Sequence, residues 1–509
     1  DVLGSRGLGD VYKRQMPGML EQRRVDVAAI EAKLPPFRLK ADVDGTGIVD
    51  DFLRPSKMGI GTLNLNLYKD SVLQGDMTLN TLKTASMRLD TITLGLRSRG
   101  NLIDYQVHLG NRPGTMDEFA DVNMSGYFGE NRLSAYLVQH NVKKKMGYRV
   151  GFTASLADSI MSLRFTPLKA TIAYLPWKFN VDNFVDFNIE KKKIYANLQA
   201  SSDRSSILLR TEQRADGGDE LHLNLTDIKV QDFLKMSLNA PPLTANVNSD
   251  IKVRYNGRAL IGKGSLDIAD LVYDRKRVGD LNFTLAAGMG NKGKSAGKIG
   301  MLVDGSEAAA VQFVLAPDSV DKAAGLVAER LKLQLTRFPV AIANPFMPPQ
   351  TMSLSGRLNG SMDVSGRLSS PLLNGSIASD SVGVYVNMLG STLRFGDKPI
   401  VVDNNVLRFD DFNITAYNDN PLSVNGTVDA SKFSDIMLDL TAAARNMQLT
   451  GGKKSKGDIT GNLFIDLDAG VKGPLSRMNV DATLNVLPTT DVTYMMTMDS
   501  DMLLSLIHI

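Results

Sequence analysis

Gly288, Gly293, Lys294 and Ser295 satisfy the phosphate-loop spacing GxxxxGKS, and Gly288, Gly290 and Gly293 also satisfy GxGxxG. Both patterns hold phosphate by presenting free backbone N–H groups at the start of a helix. Leu281 to Leu285, just upstream, fits the strand that should come first. The helix that should follow is missing from the pattern. Ala296-Gly297-Lys298-Ile299-Gly300 is too glycine-rich for a helix interior and runs into Met301 to Val303, a further strand. Asp304 then arrives without the intervening helix that a metal-holding aspartate needs. A basic hairpin tip is expected here, not a nucleotide site. His108, His140 and His222 are scattered through strand-like segments, with no second ligand at helical spacing and no paired nucleophile. Asp410 with Asp411, and Asp466 with Asp468, read as solvated turn or polar-face carboxylates. The chain has no cysteine, which excludes thiolate catalysis, disulfides and thiolate-bound metals. No catalytic residue, cofactor or metal site is expected, and the chain does not read as an enzyme.

The elements that carry these residues are strands. Leu63, Leu65 and Leu67 alternate with polar residues, as do Leu221, Leu223 and Leu225, and Leu331, Leu333 and Leu335. Successive side chains of a strand point to opposite faces, so period two describes a half-buried strand with one apolar and one polar face. These nine leucines are expected to line a single apolar surface. The lone Trp177 is expected to pack at a strand start or bend.

Asp10 to Gln15 and Leu504 to Ile509 read as translations of the two strands of a transposase end used in sequencing libraries, so residues 1–15 and 504–509 are expected to be non-native. Without them, 58 basic against 55 acidic residues become 55 against 53, a balance that fits no nucleic-acid partner. No linker-like composition divides the remainder. One extended, repetitive architecture is expected, in segments 16–215, 216–335 and 336–503.

A repeat supports this. Val253 to Gly257 leads into Gly264 to Ile268, Val364 to Gly366 into Pro371 to Ile377, and Val471 to Gly473 into Pro474 to Leu484; the three glycines are 109 and 107 positions apart. Apolar pieces at Val230 to Pro242 and Phe338 to Pro349 precede the first two, with short helices expected at Val230 to Ser237 and Phe338 to Phe346. Asn-Gly at Asn256, Asn359, Asn374 and Asn425, together with Asp216-Gly217-Gly218 and Asp304-Gly305, read as hairpin turns. Lys143 to Lys145, Lys191 to Lys193 and Lys453 to Lys456 read as solvated loops or protected edges, with anionic lipid head groups as the alternative.

From about Leu335 onward the chain resembles a known family. The residues that carry the likeness are Met352-Ser353-Leu354-Ser355-Gly356-Arg357-Leu358-Asn359-Gly360, Val364-Ser365-Gly366 with Pro371-Leu372-Leu373-Asn374-Gly375, Pro421 to Val428, and Gly461-Asn462-Leu463 with Val471-Lys472-Gly473-Pro474-Leu475. Their order resembles the run of TamB, of the AsmA-like bridge group in Gram-negative bacteria, into its C-terminal domain. The resemblance implies a periplasmic protein that conducts phospholipid acyl chains along a β-groove between inner and outer membrane and supports outer-membrane protein assembly. It also implies an N-terminal inner-membrane anchor and an outer-membrane assembly barrel of the TamA or BamA type as partner; neither contact can be placed on a residue here.

The pattern's physics agrees with that implication. A long sheet cannot leave its apolar face in water. Curled into a U-shaped groove, roughly 35 to 45 strands at ~4.8 Å spacing would run on the order of 170 to 220 Å. Two rivals also alternate: a transmembrane β-barrel, disfavoured by one Trp and the lack of aromatic girdles, and a structural solenoid or surface adhesin passenger, whose apolar face would fill a closed, dry core. The expected fold is all-β, antiparallel and elongated, with a few short helices.

Overall fold

A computed structural model describes residues 27–494, except 85–86, 115–116, 168, 215–217, 235–239, 256–258, 291, 319–324, 349–350, 433 and 452–458. The terminal segments read as non-native, the Asn256-Gly257 and Asp216-Gly217 turns and the Lys453 to Lys456 cluster lie outside the described residues. Strand takes 71% of the chain and helix 7%, so the period-two reading of an all-β protein holds. Among the described residues, 31 strands hydrogen-bond into one antiparallel sheet. The chain divides into two compact units, residues 1–241 with 247–252, and residues 242–246 with 253–509.

The first unit opens as a meander in which each strand pairs with the next: β1 (Phe37–Asp44), β2 (Gly59–Lys69), β3 (Leu73–Lys83), β4 (Arg88–Arg99), β5 (Leu102–Gly110), β6 (Asp121–Gly129), β7 (Arg132–His140), β8 (Met146–Ala157) and β9 (Ile160–Phe165). A small hairpin, β10 (Ala170–Ile172) and β11 (Leu175–Phe179), is set aside so that β9 pairs with β12 (Phe184–Asn188). The meander resumes through β13 (Lys193–Ser202), β14 (Ser205–Gln213) and β15 (Asp219–Lys229). The residues of β16 (Leu243–Tyr255) are divided between the two units.

The second unit repeats the scheme with longer strands: β17 (Ala259–Tyr273), β18 (Lys276–Gly290), β19 (Ser295–Val303), β20 (Ser306–Pro317), β21 (Leu326–Pro339), β22 (Met352–Arg367) and β23 (Leu372–Val386). One strand position is split into β24 (Ser391–Phe395) and β25 (Ile400–Asp403), both paired to β23 and to β26 (Val406–Thr415). Then come β27 (Leu422–Asp429), β28 (Met437–Thr450), β29 (Ile459–Pro474) and β30 (Asn479–Val486), and β31 (Asp491–Tyr494) pairs with the start of β29. Gly366 and Gly473 of the sequence repeat are the penultimate residues of β22 and β29, just before the connections into β23 and β30.

Helices are short, as expected, but not only where expected. One spans Val230–Leu234, and a 3-10 segment spans Val340–Phe346, whereas Phe338 and Pro339 belong to the end of β21. Two more, Val27–Lys33 and Ile48–Leu53, carry no helical signal strong enough to stand out beside the strands. The first is held from outside: the Glu31 carboxylate accepts the Leu73 N–H at 2.6 Å and the Ser98 hydroxyl at 2.7 Å.

The Asn-Gly reading needs correction. Asp304-Gly305 is a turn, with φ of 48° and 77°, as a type I′ hairpin requires. Asn359, Asn374 and Asn425 lie inside β22, β23 and β27. Asn359 and Asn425 instead serve bulges on the strand beside them. Arg337 (φ 48°) donates its backbone N–H to the Asn359 carboxamide oxygen at 2.8 Å, and Asp411 (φ 55°) donates to that of Asn425 at 2.7 Å. Asp227 on Asn248, Asp270 on Asp280 and Asn446 on Asp466 repeat the arrangement. Each left-handed residue turns its N–H out of the ladder, and a side-chain oxygen of the adjacent strand replaces the lost carbonyl. Asp411 is therefore a bulge residue, not a turn carboxylate.

Candidate functional site: an apolar sheet face

Directly opposed residues of an antiparallel pair share a face, so register traces that face across strands. Leu65 opposes Ala41 and Met77, and the row continues through Leu94, Val107, Met124, Leu137 and Val150, eight apolar residues on eight consecutive strands. Leu63 and Leu67 flank it, opposite Leu79 and Gly75. Every member of the eight-residue row is half-buried, neither dry nor fully solvated.

The second leucine triplet lies on the same face. Leu223 opposes Leu209, which opposes Leu198. Two residues before Leu198, Ala196 opposes Val185, and the row passes through Leu163 and Ala154 to Leu133, four positions before Leu137 on β7. Leu221, Leu223 and Leu225 are half-buried too. Leu331, Leu333 and Leu335 belong to the second unit, where Leu333 sits in a row with Leu285, Ile299, Val311 and Met362, and Leu335 between Ala309 and Gly360. Leu285 and Ile299 are 36% and 38% exposed.

The face is closed only locally, where short elements fold over it. Trp177, 2% exposed in β11, packs with Ala170 and Ala200 beneath Ile207 and Phe233, the last from the Val230–Leu234 helix. The Trp177 and Phe233 rings are 6.3 Å apart. In the second unit Leu281, Val303 and Ala308 form a buried cluster with Ile342 of the 3-10 segment, and near the C-terminal end Ala416, Ala444, Met447 and Ile465 form another.

The opposite face is polar, but ionisable groups are not confined to it: Asp90, two residues before Ile92 on β4, lies at the rim of the apolar face, and Tyr174 sits in the turn between β10 and β11. Asp90 accepts from the Arg112 backbone and guanidinium at 2.8 and 3.1 Å and from Arg88 at 3.1 Å, and these bonds hold its carboxyl well below the usual range. Burial, with Glu118 beside it, pushes the Tyr174 hydroxyl up to about 12. His108, His140 and His222 prove to have carboxylate partners that spacing did not reveal: His108 and His140 both meet Asp121, at 3.1 and 3.6 Å, and His222 meets Asp250 at 2.9 Å. Cross-strand register brings them together over sequence gaps that no local pattern reports. Among the described residues no group of three or more His, Asp or Glu could hold a metal ion.

The phosphate-loop spacing is a hairpin. Gly288 and Gly290 end β18 and Ser295 begins β19, with the Gly290 N–H donating to Lys294 O and the Gly293 N–H to Gly290 O, both at 2.9 Å. The Gly290 and Gly293 N–H groups are thus spent within the turn, and Lys294 pairs with Glu329.

Residues 410–501 match the TamB C-terminal domain. Over these residues the chain is similar to the TamB family, which supports the likeness seen from Leu335 onward. The match covers β27 to β31 and the Asn425 and Asp466 bulge caps. No characterised protein and no solved structure matches the chain. Among the described residues, no helix is long and apolar enough to cross a membrane.

Proposed function

We propose that the chain is part of an envelope-spanning TamB-type bridge whose apolar sheet face, curled into a groove, carries phospholipid acyl chains through the periplasm between inner and outer membrane, and so supports outer-membrane protein assembly with a barrel partner of the TamA or BamA type. The observation that carries this reading is the unbroken row from Ala41 to Val150, apolar on every strand and half-buried throughout. A closed solenoid would bury such a row; a face left for acyl chains would not. Each methylene that leaves water is worth ~0.8 kcal/mol, and because neighbouring strands offer equivalent sites, a chain can slide without a deep trap. The movement forms and breaks no covalent bond.

The test is site-specific photo-crosslinking in the full-length protein in cells. Probes replacing Leu63, Leu223 and Leu333 should capture phospholipid, while probes at Thr78 and Asn224 on the polar face should not. Capture of protein alone, or of nothing, at all three leucines in abundant folded protein would leave the structural solenoid as the better account.

A further inference from the structure

The polar face of the first unit carries a second site that the lipid reading does not use. Across β3 to β6 it dips into a concavity of about 490 Å³ lined by Asp76, Thr78, Thr93, Gln106, Asn123 and Ser125. Gly95 makes the dip, since a Cβ there would find only Asp76 Oδ1, at 3.9 Å. A solvated sheet face carries charged as well as neutral polar side chains. Here the only ionisable lining residues are Asp76 and His108.

The lining side chains are also unspent. Among the described residues Asp76, Thr78, Thr93, Gln106 and Ser125 take no side-chain hydrogen-bond partner, in contrast to the neighbouring Asp121, which engages His108, His140 and Asn123. One strand further on, Tyr136 opposes Ser125, lies over Gly151 and is 45% exposed. An exposed aromatic plate at the end of a strip of free hydroxyls and the free Gln106 carboxamide suits a ligand that offers both apolar C–H faces and many neutral donors and acceptors.

We infer that this concavity binds a neutral, N-acetylated glycan chain, with one sugar ring against Tyr136 and acetamido groups paired to the Gln106 carboxamide and to the Asn123 carboxamide oxygen, the Asn123 amide nitrogen being engaged by Asp121. The absence of Lys and Arg from the lining argues against nucleic acid or another polyanion, whose affinity comes from phosphate contacts. From β3 to β7 the strip spans four strand spacings, roughly 19 Å, the reach of a short oligosaccharide. Because the site lies on the face opposite the leucine rows, it stands or falls independently of lipid carriage.

Calorimetric titration of the whole chain with chitotetraose tests this. Saturable binding is expected, weakened at least tenfold by Gln106→Ala and by Tyr136→Ala, and unchanged by Asn224→Ala elsewhere on the polar face. Gln106 and Tyr136 are exposed, so the fold should survive both changes, which circular dichroism verifies. Cellotetraose, which lacks acetamido groups, should bind more weakly. No saturable heat up to about 10 mM, equal affinity for cellotetraose, or indifference to both substitutions would each overturn the assignment.

Discussion

Gly426→Ala offers the sharpest test of the bulge architecture. Gly426 follows Asn425, the cap of the Asp411 bulge, and holds φ at +124°, where a Cβ would lie 2.1 Å from the Asp439 carbonyl oxygen of β28. That oxygen is backbone in a paired strand, since Gly426 opposes Leu440, so it cannot swing aside as a flexible side chain would. Backbone strain of this kind costs on the order of 1 to 3 kcal/mol, and displacing β28 weakens ladder bonds as well. A total of about 3 kcal/mol corresponds to roughly a hundredfold increase in local opening. Gly470→Ala is the matched control: it lies in neighbouring β29, where an added methyl would meet nothing within 4 Å. Hydrogen exchange followed by mass spectrometry should show loss of protection across β26 to β28 for Gly426→Ala, none for Gly470→Ala, and none in β2 to β9 for either. Equal protection in the two variants would refute the claim that close strand approach at the bulge demands glycine.

Two further outcomes follow from the electrostatics and the buried indole. Asp90 has its pKa depressed on folding by Arg112 and Arg88, so its contribution is present above the unfolded carboxylate value, near 4, and is lost as pH falls through the lower folded value. Asp90→Asn should therefore flatten the acid side of the stability profile below about pH 5 in thermal melts; an unchanged slope would show that the Asp90 cluster is not linked to folding. Trp177 is the chain's one tryptophan and is 2% exposed, so its emission should resist acrylamide quenching, and Phe233→Ala should make it quenchable by uncovering the ring. Full quenching in the unmutated protein would contradict the closed cluster at the Val230–Leu234 helix.

What the sequence determined by itself is the face. Strict alternation at Leu63, Leu65 and Leu67 allows one outcome in a strand, because a slip of one residue would invert every side chain, and the same holds for the other two triplets. The glycine-rich stretch after Ser295 likewise excluded a helix, and a hairpin stands there. Asn359, Asn374 and Asn425 read locally as turns because Asn-Gly suits positive φ, whereas their position inside strands is set by neighbours. Whether such an Asn closes a hairpin or receives the N–H of a left-handed residue on the next strand depends on register, a non-local property. The pairing of His108 and His140 with one carboxylate, and the free polar strip beside Tyr136, arise the same way. Only the tertiary structure decided where the leucine face stays half-open and where Phe233 and Ile342 close it, because closure is made by elements that leave the sheet and return over it, at sequence distances no periodicity spans.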